Sequence, residues 1–238
     1  MGIDQRLGDK GRPDTIMLVS LGRDGKAVVL SIPRDTLVEI PGHGDDKVNH
    51  SYTYGGASLT METVSRFLGV RIDGYALADL DGFAQIVDAL GGLTIDVEKR
   101  MYYDDSTQNL HIDLQPGVQK LDGQQALNYV RFRDDGLGDI GRVAREQKFV
   151  AAVVRECLAP ANLLRLPGVI RQAYQSVETD LPLTQALGLV QAVAKLSPDE
   201  VELKVLPGKG EYLNGVSYYV PDDLDALKAD LRVAGVVD

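Results

Sequence analysis

Residues that commonly build disulfides and metal sites are scarce in this sequence. Its 238 residues include one cysteine, three histidines and no tryptophan. A single cysteine excludes an internal disulfide and a cysteine-rich metal site. Cys157 stands in an apolar helical stretch, where a core residue is expected. The histidines His43, His50 and His111 lack the spacing of metal ligands.

Long hydrophobic runs are missing as well. No segment is long and apolar enough to span a bilayer, and no signal peptide is recognisable. The chain nevertheless opens on Met1-Gly2-Ile3-Asp4, which is typical of the end of a β-strand. We therefore expect a membrane anchor that precedes this sequence and is absent from it.

Positive charge is in the minority, since 25 lysines and arginines face 35 aspartates and glutamates, for a net charge of −10. Nucleic acids and anionic membrane surfaces attract basic proteins, so this balance argues against both as general partners. An anionic ligand requires positive charge that is gathered at one place. The positions of the arginines are therefore the feature to inspect.

The pattern of apolar and polar residues predicts an α/β fold. Strand pairs and helices are interleaved without a regular β-α-β rhythm, which favours a three-layer α-β-α architecture with a central mixed β-sheet flanked by helices. With 44% hydrophobic residues, the chain is long enough for one large core. No repeat or low-complexity linker interrupts it, so residues 1–238 are expected to form a single domain.

Several local patterns predict individual elements. Thr15–Leu21 and Ala27–Ile32 predict a β-hairpin, because turn residues join them. The polar, glycine-rich segment Gly42–Gly56 predicts a loop, and Ser58 predicts the start of a helix that Gly69 ends. The remaining elements are expected as strands at Leu37–Ile40, Tyr75–Leu80, Leu93–Val97 and Val201–Leu206, an antiparallel ribbon at Met101–Leu114, helices at Asp81–Leu90, Ile140–Leu158, Asn162–Val177 and Thr184–Leu196, a helix capped by Asp122 that runs through Tyr129, and a closing helix capped by Asp222.

Four arginines cluster in one short segment: Arg131, Arg133, Arg142 and Arg145. The first two alternate with apolar residues, which predicts an extended segment with both guanidinium groups on one side. The last two are about one helical turn apart and share a helix face. Such groups repel one another unless an anion neutralises them, and their planar forks match the oxygens of a pyrophosphate. The alternative is a solvated helix face paired with Asp134, Asp135, Asp139 and Glu146.

Two other groups fit the same anionic ligand. Asp4 and Asp14 each end a strand-like run, and Mg²⁺ is commonly held by one or two carboxylates together with phosphate oxygens and water. The segment Ser31-Ile32-Pro33-Arg34-Asp35-Thr36 places an arginine directly after a proline at a strand end. Taken alone, each of the two aspartates is more typical of a turn or a cap.

The usual catalytic templates are absent from the sequence. It contains no Walker-type P-loop, no G-x-S-x-G elbow and no H-E-x-x-H motif. Residues 136–141 match the glycines of a dinucleotide-binding fingerprint, but no buried strand precedes them, so a loop that enters a helix is favoured. His50 follows Lys47-Val48-Asn49 in a polar stretch and is consistent with a substrate contact or with a surface histidine.

Together these motifs resemble the LytR-CpsA-Psr family of cell-wall ligases. The resemblance is specific because separate motifs occur in the family's order, and it is clearest over residues 1–152. The motifs are Gly2-Ile3-Asp4, Arg12-Pro13-Asp14-Thr15, Ser31-Ile32-Pro33-Arg34-Asp35-Thr36, Lys47-Val48-Asn49-His50 with Gly55-Gly56 after it, Asp88-Ala89-Leu90-Gly91-Gly92, Leu121-Asp122-Gly123 with Tyr129-Val130-Arg131-Phe132-Arg133, and Gly138–Arg145. One departure is Glu146, since the family often has glutamine at this position.

The resemblance implies a role for each of these groups. Mg²⁺ would be held by Asp4 and Asp14. The pyrophosphate would be clamped by Arg34, Arg131, Arg133, Arg142 and Arg145. The catalytic residues would be Arg34, Asp35, Arg131 and Arg142, with the carboxylate orienting Arg34 or a metal-bound water, or forming a simple salt bridge. The polyprenyl tail would lie in an apolar tunnel lined by residues that include Phe67, Leu68, Phe83, Val87 and Phe149, for most of which ordinary core packing is the alternative.

The implied activity is that of a Mg²⁺-dependent phosphotransferase. It would move a glycopolymer from a polyprenyl-pyrophosphate carrier to a peptidoglycan hydroxyl group, on the extracytoplasmic face of the bacterial cell membrane. With water as the acceptor, the same site would act as a pyrophosphatase. Two alternatives stay open at this point: a non-catalytic protein that binds polyprenyl phosphate for another cell-wall enzyme, and an α/β domain whose arginines only make surface ion pairs.

Overall fold

A computed structural model of the chain describes residues 1–3, 11–22, 25–105, 110–132, 138–163 and 165–233. The strands are β1 (Gly2–Ile3), β2 (Pro13–Leu21), β3 (Ala27–Ile32), β4 (Leu37–Ile40), β5 (Gly44–Lys47), β6 (Ala76–Ala78), β7 (Leu93–Val97), β8 (Met101–Asp105), β9 (Leu110–Leu114), β10 (Gly117–Leu121), β11 (Val177–Thr179), β12 (Val201–Val205), β13 (Gly208–Leu213) and β14 (Val216–Pro221). The helices are α1 (His50–Leu68), α2 (Leu80–Ala89), α3 (Gly123–Arg131), α4 (Gly138–Leu158), α5 (Pro160–Leu163), α6 (Leu166–Ser176), α7 (Leu183–Val193) and α8 (Leu224–Val233), with a 3₁₀ turn at Pro198–Glu200. This mixture of sheets and helices confirms the predicted α/β class.

The chain divides into two compact units. The first unit contains Met1–Asp79, Val177–Pro182 and Asp199–Asp238, and the second contains Leu80–Ser176 and Leu183–Pro198. Both units draw on separate stretches of the chain, so no single cut in the sequence divides them. The single domain expected from the sequence stays a prediction.

A six-stranded sheet forms the centre of the first unit, with the strand order β11-β6-β1-β2-β3-β12. β1 is parallel to β6 and β12 is parallel to β3, whereas the other neighbours are antiparallel. β2 and β3 form the predicted hairpin, with Leu21 opposite Ala27 and Ile16 opposite Ile32. The central mixed sheet that the sequence predicts is therefore present.

One face of this sheet carries the core of the first unit. Ile16 and Leu30 lie on the same side of the hairpin, because alternate strand residues share a face. Val64 and Leu68 of α1 and Leu231 of α8 complete the buried cluster. Each fully buried aliphatic side chain contributes about 1.5–3 kcal/mol to stability. This packing fixes the ends of β2 and β3, which carry residues of the candidate site.

Helix α1 differs from the prediction at its start. The segment Gly42–Gly56 was expected to be a loop, but it contains β5 and the first turns of α1, which begins at His50 rather than near Ser58. Gly55 and Gly56 interrupt the helix with φ angles of −145° and +66°. The two glycines remove apolar side chains from these turns and break the helical periodicity, which is the physical reason why the prediction was wrong here.

Two short sheets lie next to the end of β3 in the first unit. β4 pairs with β5, and β13 pairs with β14. A parallel backbone bridge joins Thr36 to Tyr219, and the amide of Tyr219 donates to the carbonyl oxygen of Asp35 at 2.8 Å. Leu37–Ile40 is thus a strand, as predicted, but it pairs with β5 instead of extending the central sheet.

The second unit is richer in helices. β7 pairs with β10 and β8 pairs with β9, while α2 packs on α3 and α6, and α4 packs on α3 and β7. Its core contains Leu93, Met101, Ile112, Leu121 and Tyr129, all fully buried. The strand at residues 93–97 and the ribbon at residues 101–114 confirm the corresponding predictions.

Helix α3 begins with a capping box. Asp122 Oδ1 accepts a hydrogen bond from the amide of Gln125 at 2.8 Å, and the Gln125 side chain accepts one from the amide of Asp122 at 3.1 Å. The predicted cap is present, but the helix continues through Arg131. The expectation of an extended segment from Arg131 to Arg133 is therefore wrong for Arg131, because the amide of Phe132 still closes a helical hydrogen bond.

Candidate functional site

The turn after β3 is held in place by backbone hydrogen bonds. β3 ends at Ile32, and Pro33 has no amide hydrogen with which to continue the sheet. The amide of Thr36 donates to Pro33 O at 3.0 Å, which closes the turn. The amide of Asn49, just before α1, donates to the carbonyl oxygen of Arg34 at 3.2 Å. The backbone of Arg34 is therefore fixed from two sides.

The side chain of Arg34 lies between two carboxylates. Its Nη1 donates to Asp14 Oδ1, and its Nε is 3.6 Å from Asp35 Oδ2. Asp35 Oδ1 is in turn 3.0 Å from Lys47 Nζ. The four side chains are between 19% and 39% exposed, so solvent reaches all of them. They form an alternating row of two anions and two cations, which we call the charged row.

A second network lies at the start of α1. His50 Nδ1 is 2.9 Å from Asp46 Oδ2, which also accepts from the hydroxyl of Tyr54 at 2.7 Å. The amide of Lys47 donates to Asp46 Oδ1 at 2.8 Å, and Arg12 Nη1 is 3.4 Å from His50 Nε2. Burial raises the pKa of Asp46, but the hydrogen bonds, led by that from Tyr54, outweigh it and hold the pKa below its ordinary value.

The buried side chain of Asn49 has an unsatisfied oxygen. Asn49 is 5% exposed, and its Oδ1 accepts no hydrogen bond from the residues that the structure describes. A buried amide oxygen without a donor costs about 1–3 kcal/mol. A ligand hydroxyl group or another donor that reached Asn49 would remove this cost.

The second unit buries one of the predicted clamp arginines. Arg145 is 1% exposed, its Nη2 donates to Phe132 O at 2.7 Å, and its guanidinium carbon is 5.7 Å from the centre of the Phe132 ring. Its Nη1 is 4.0 Å from Glu98 Oε1. Glu98 Oε2 accepts from the hydroxyl of Tyr129 at 3.1 Å and is 3.4 Å from Lys148 Nζ. Burial, followed by the charge of Glu98, raises the pKa of Tyr129.

The structure brings some of the predicted site residues together. Asp14, Arg34 and Asp35 meet in the first unit. Arg131 is the half-buried last residue of α3, and it lies with Arg145 in the second unit. The predicted residues that fall outside the described part of the chain are Asp4, Arg133 and the side chains of Arg142 and Glu146. The roles given to the clamp arginines stay predictions.

The five residues predicted to line a lipid tunnel belong to two separate cores. Phe67 and Leu68, at the end of α1, pack in the first unit. Phe83, Val87 and Phe149 pack in the second unit, where the two phenylalanine rings stack with their centres 4.7 Å apart. Leu68 and Val87 are fully buried, whereas the three phenylalanines keep some exposed surface. The tunnel itself stays a prediction.

Two common features are not found among the described residues. They contain no group of three or more His, Cys, Asp or Glu side chains placed to hold a metal ion. Asp4, a predicted metal ligand, lies outside the described residues. Within the same part of the chain, no helix combines the length and the hydrophobicity needed to cross a bilayer.

Cys157 packs against the core of the second unit, as expected, and burial raises the pKa of its thiol to about 11. A thiol in this state is not an activated nucleophile.

Almost the whole chain matches one family of proteins. The LytR_cpsA_psr family model matches residues 1–232 of the 238. The chain belongs to the LytR-CpsA-Psr family. The motif resemblance is clearest over residues 1–152. The family match extends further along the chain and includes strands β12 to β14. The charged row therefore lies on a LytR-CpsA-Psr scaffold.

LytR-CpsA-Psr relatives align with nearly the whole chain. The polyisoprenyl-teichoic acid–peptidoglycan teichoic acid transferase TagU of Oceanobacillus iheyensis is 32% identical over 243 residues, which cover 99% of this chain and 74% of the relative. The crystal structure of Bacillus subtilis TagV superposes with a TM-score of 0.85 and 29% identity, covering 100% of this chain and 96% of that one. A structure of TagT with bound octaprenyl pyrophosphate lipid has a TM-score of 0.73 and 28% identity, covering 98% and 87%. These similarities confirm the fold.

Sequence reasoning did not find every charged group at this site. Lys47 entered only as part of a LytR-CpsA-Psr motif, and its contact with Asp35 was not expected. The network of Asp46, His50 and Tyr54 was also missed. His50 and Tyr54 are about one turn apart on α1, but Asp46 lies on β5, so no single helical spacing indicates the whole network.

Proposed function

We propose that this LytR-CpsA-Psr domain is a Mg²⁺-dependent phosphotransferase that moves a glycopolymer from a polyprenyl-pyrophosphate carrier to a hydroxyl group of peptidoglycan. The observation that carries the proposal is the position of Arg34 between Asp14 and Asp35, on a turn whose backbone is fixed. A guanidinium group that is held in place and still reached by solvent is preorganised to bind phosphate oxygens.

The names of the relatives support the classes of substrate. The TagU relative is named as a transferase of teichoic acid from a polyisoprenyl carrier to peptidoglycan, and the TagT structure holds octaprenyl pyrophosphate lipid. We extend these two classes to the present chain. The donor would be a polyprenyl-pyrophosphate-linked glycan, the acceptor would be peptidoglycan, and the reaction would take place on the extracytoplasmic face of the membrane.

The charged row explains how a pyrophosphate could bind to a protein with a net negative charge. Arg34 and Lys47 are each held by a carboxylate before the substrate arrives, so the two cations do not destabilise the empty site. A pyrophosphate can take over these contacts, because its oxygens are anionic acceptors like those of a carboxylate. Arg34 offers a planar fork to the phosphate, and Lys47 adds a point charge.

The carboxylates of the row fit a magnesium ion. Mg²⁺ favours oxygen ligands and usually keeps several waters beside one or two carboxylates and the substrate phosphates. The carboxylate of Asp14 is 39% exposed, which leaves room for such waters. Asp14 would hold the ion together with Asp4, which lies outside the described residues. When bound, the ion supplies positive charge that offsets the charge of the phosphate oxygens.

The proposed reaction replaces one bond to phosphorus by another. The oxygen of a wall-sugar hydroxyl attacks the glycan-linked phosphorus, the bond to the bridging oxygen breaks, and polyprenyl phosphate leaves. Arg34 stabilises the charge that develops on the phosphoryl oxygens, and Asp35 positions Arg34. Further clamp residues are proposed to be Arg131, Arg133, Arg142 and Arg145, and the tunnel for the prenyl chain is proposed to include Phe67, Leu68, Phe83, Val87 and Phe149. Water in place of the sugar would make the same site a pyrophosphatase.

Transfer in a purified system tests the proposal. The protein is incubated with a polyprenyl-pyrophosphoryl disaccharide and soluble peptidoglycan chains, either with Mg²⁺ or with a chelator, and the products are identified by mass spectrometry. We expect glycan joined to peptidoglycan through a phosphodiester, together with free polyprenyl phosphate, only when Mg²⁺ is present. Equal rates in the chelator would overturn the metal requirement. Arg100→Ala removes an exposed arginine that pairs with Asp113, and it serves as a matched control with the wild-type rate.

The same experiment distinguishes a transferase from a protein that only binds the carrier. A non-catalytic carrier-binding protein would bind the polyprenyl pyrophosphate without releasing polyprenyl phosphate and without modifying peptidoglycan. That result would overturn the transfer activity. If lipid binding were also unchanged in Arg34→Ala, Arg34 would have no role in binding the pyrophosphate.

A further inference from the structure

The proposed reaction needs a group that accepts the proton of the attacking hydroxyl, and the structure assigns this role to Nε2 of His50, with Asp46 as the residue that positions the imidazole ring. This inference rests on the proposed function and adds to it the catalytic base. It is carried by the geometry of Arg12, Asp46, His50 and Tyr54, which all lie in the first unit.

The hydrogen-bond partners of His50 determine which ring nitrogen carries the hydrogen. Asp46 accepts three hydrogen bonds and stays ionised, so it has no hydrogen to donate, and Nδ1 of His50 must be the donor at 2.9 Å. The guanidinium of Arg12 can only donate, so its position 3.4 Å from Nε2 fits a ring in which Nε2 presents its lone pair. A neutral imidazole with an available lone pair is the form that a general base requires.

Asp46 holds the ring in the way in which the carboxylate of a catalytic triad holds its histidine. Oδ2 bonds to both His50 and Tyr54, while Oδ1 is fixed by the amide of Lys47. The rings of His50 and Tyr54 meet edge to face, with their centres 6.4 Å apart. The side chains of His50 and Asp46 are 25% and 20% exposed. The pair is therefore shielded enough to be fixed, and a substrate hydroxyl can still reach it.

Short connections tie His50 to the charged row. Arg12 contacts Nε2 of His50, and two residues later Asp14 pairs with Arg34. On the other side, Asn49 directly precedes His50, and its amide donates to the carbonyl oxygen of Arg34. The Arg12 contact is long for a hydrogen bond and correspondingly weak. A substrate phosphate that attracts the Arg12 guanidinium would uncover the lone pair of His50.

The proton transfer balances without any further reactant. The O–H bond of the acceptor breaks and its proton moves to Nε2, while the oxygen forms its bond to phosphorus. The bond from phosphorus to the bridging oxygen breaks, and the electron pair leaves with polyprenyl phosphate. The ring is then an imidazolium with hydrogens on both nitrogens. Asp46 stabilises its charge through Nδ1, and the Nε2 proton passes to water.

His50→Ala tests the assignment in the full chain, with the same donor and acceptor. A general base contributes about 100- to 10,000-fold to the rate, so kcat should fall by at least about 100-fold. Binding of octaprenyl pyrophosphate should stay within about twofold, because the charged row is intact and imidazole carries no phosphate-binding charge. Added imidazole should restore part of kcat, which a purely structural residue would not allow.

Two further variants sharpen the test. Asp46→Asn removes the charge that positions the ring while the ring itself remains, so kcat should fall and added imidazole should not restore it. His111→Ala removes the matched surface pair, in which His111 is 64% exposed and 3.9 Å from Asp104, and it should keep the wild-type kcat. If His50→Ala does not fold, His50→Gln replaces it, because glutamine keeps a polar group there but cannot take up a proton.

The outcomes separate this inference from the proposed function. A wild-type rate in both His50 variants overturns the assignment. Loss of lipid binding together with transfer, without recovery in imidazole, also overturns it, since His50 would then act in binding or folding. Failure of the unaltered protein to transfer at all counts against the proposed function, and the assignment falls with it.

Discussion

Arg34 and Arg145 carry the same chemical group, but the two units of the molecule surround them differently. In the first unit, the side chain of Arg34 is 24% exposed and touches the carboxylates of Asp14 and Asp35. In the second unit, the side chain of Arg145 is 2% exposed, and its guanidinium donates to the backbone carbonyl of Phe132. The resemblance to the LytR-CpsA-Psr family predicts that both arginines belong to one pyrophosphate clamp.

The difference teaches that the partner of an arginine matters as much as its position in a motif. A phosphate can replace a carboxylate partner, because both are anions that accept from the same fork. A carbonyl oxygen in a core has no such substitute, because it would be left buried without a donor. Arg34 is therefore suited to bind a phosphate, whereas the hydrogen bond from Arg145 to Phe132 stabilises the second unit whether or not Arg145 also reaches the pyrophosphate.

The largest expected effect is on activity and comes from Arg34→Ala. Transfer should fall about 1,000-fold in kcat/KM, since removal of one preorganised donor at a developing anion typically costs about 100- to 1,000-fold. The free energy of unfolding should change by less than about 1 kcal/mol, because ion pairs in contact with solvent contribute about 0–1 kcal/mol. Steady-state kinetics and urea unfolding measure the two quantities. A large loss of stability with little loss of transfer would show that Arg34 acts in the fold and not in the reaction.

The next effect is on stability and comes from Arg145→Ala. We expect the free energy of unfolding to fall by about 2–4 kcal/mol, because the change leaves a cavity and an unpaired carbonyl at Phe132. Glu98 adds little to this loss, since it is 37% exposed and contacts Lys148 as well. Transfer is then compared with the folded fraction. A loss in proportion to that fraction assigns Arg145 to the fold, and a greater loss supports its predicted place in the clamp.

The region around Arg34 was easier to predict than the region around Arg145. The hairpin of β2 and β3 follows from two short apolar runs joined by a turn that contains glycine. Its register pairs Ile16 with Ile32, and the same register continued by two residues brings Asp14 to Arg34. The contact between Asp14 and Arg34 is thus a consequence of local pattern and turn length.

Gly69 ends helix α1, as the sequence predicts, because its φ of 70° suits glycine.

Elsewhere the decisive contacts depend on tertiary packing. The contact of Lys47 with Asp35 joins residues of different elements, and no periodicity indicates it. The burial of Arg145 runs against the usual exposure of arginine. The spacing of the arginines in the sequence does not indicate which guanidinium group is buried and which one faces a ligand.

A smaller effect is expected at alkaline pH, where one buried tyrosine of the second unit contributes to the loss of stability. The pKa of Tyr129 is raised, so its phenol stays protonated in the folded chain while unfolded tyrosine ionises from about pH 10. Stability that is fully present below pH 10 is therefore lost as the pH rises above it, by at most about 1.4 kcal/mol per pH unit for one proton. Tyr129→Phe should flatten this decline in urea unfolding between about pH 9 and 11. An unchanged slope would show that Tyr129 does not couple the network of Glu98 to alkaline pH.

The smallest effect is expected from Arg100→Ala, a third environment for the same group. Arg100 makes two hydrogen bonds to Asp113, both at 3.1 Å, and its guanidinium carbon is 5.3 Å from the centre of the Tyr102 ring. It thus makes a regular two-point contact with one carboxylate, but its side chain is 57% exposed and water competes for every contact. Neither transfer nor unfolding should change beyond experimental error. A clear loss of stability would show that hydrogen-bond geometry outweighs exposure in this protein, and the contrast between Arg34 and Arg145 would then need another explanation.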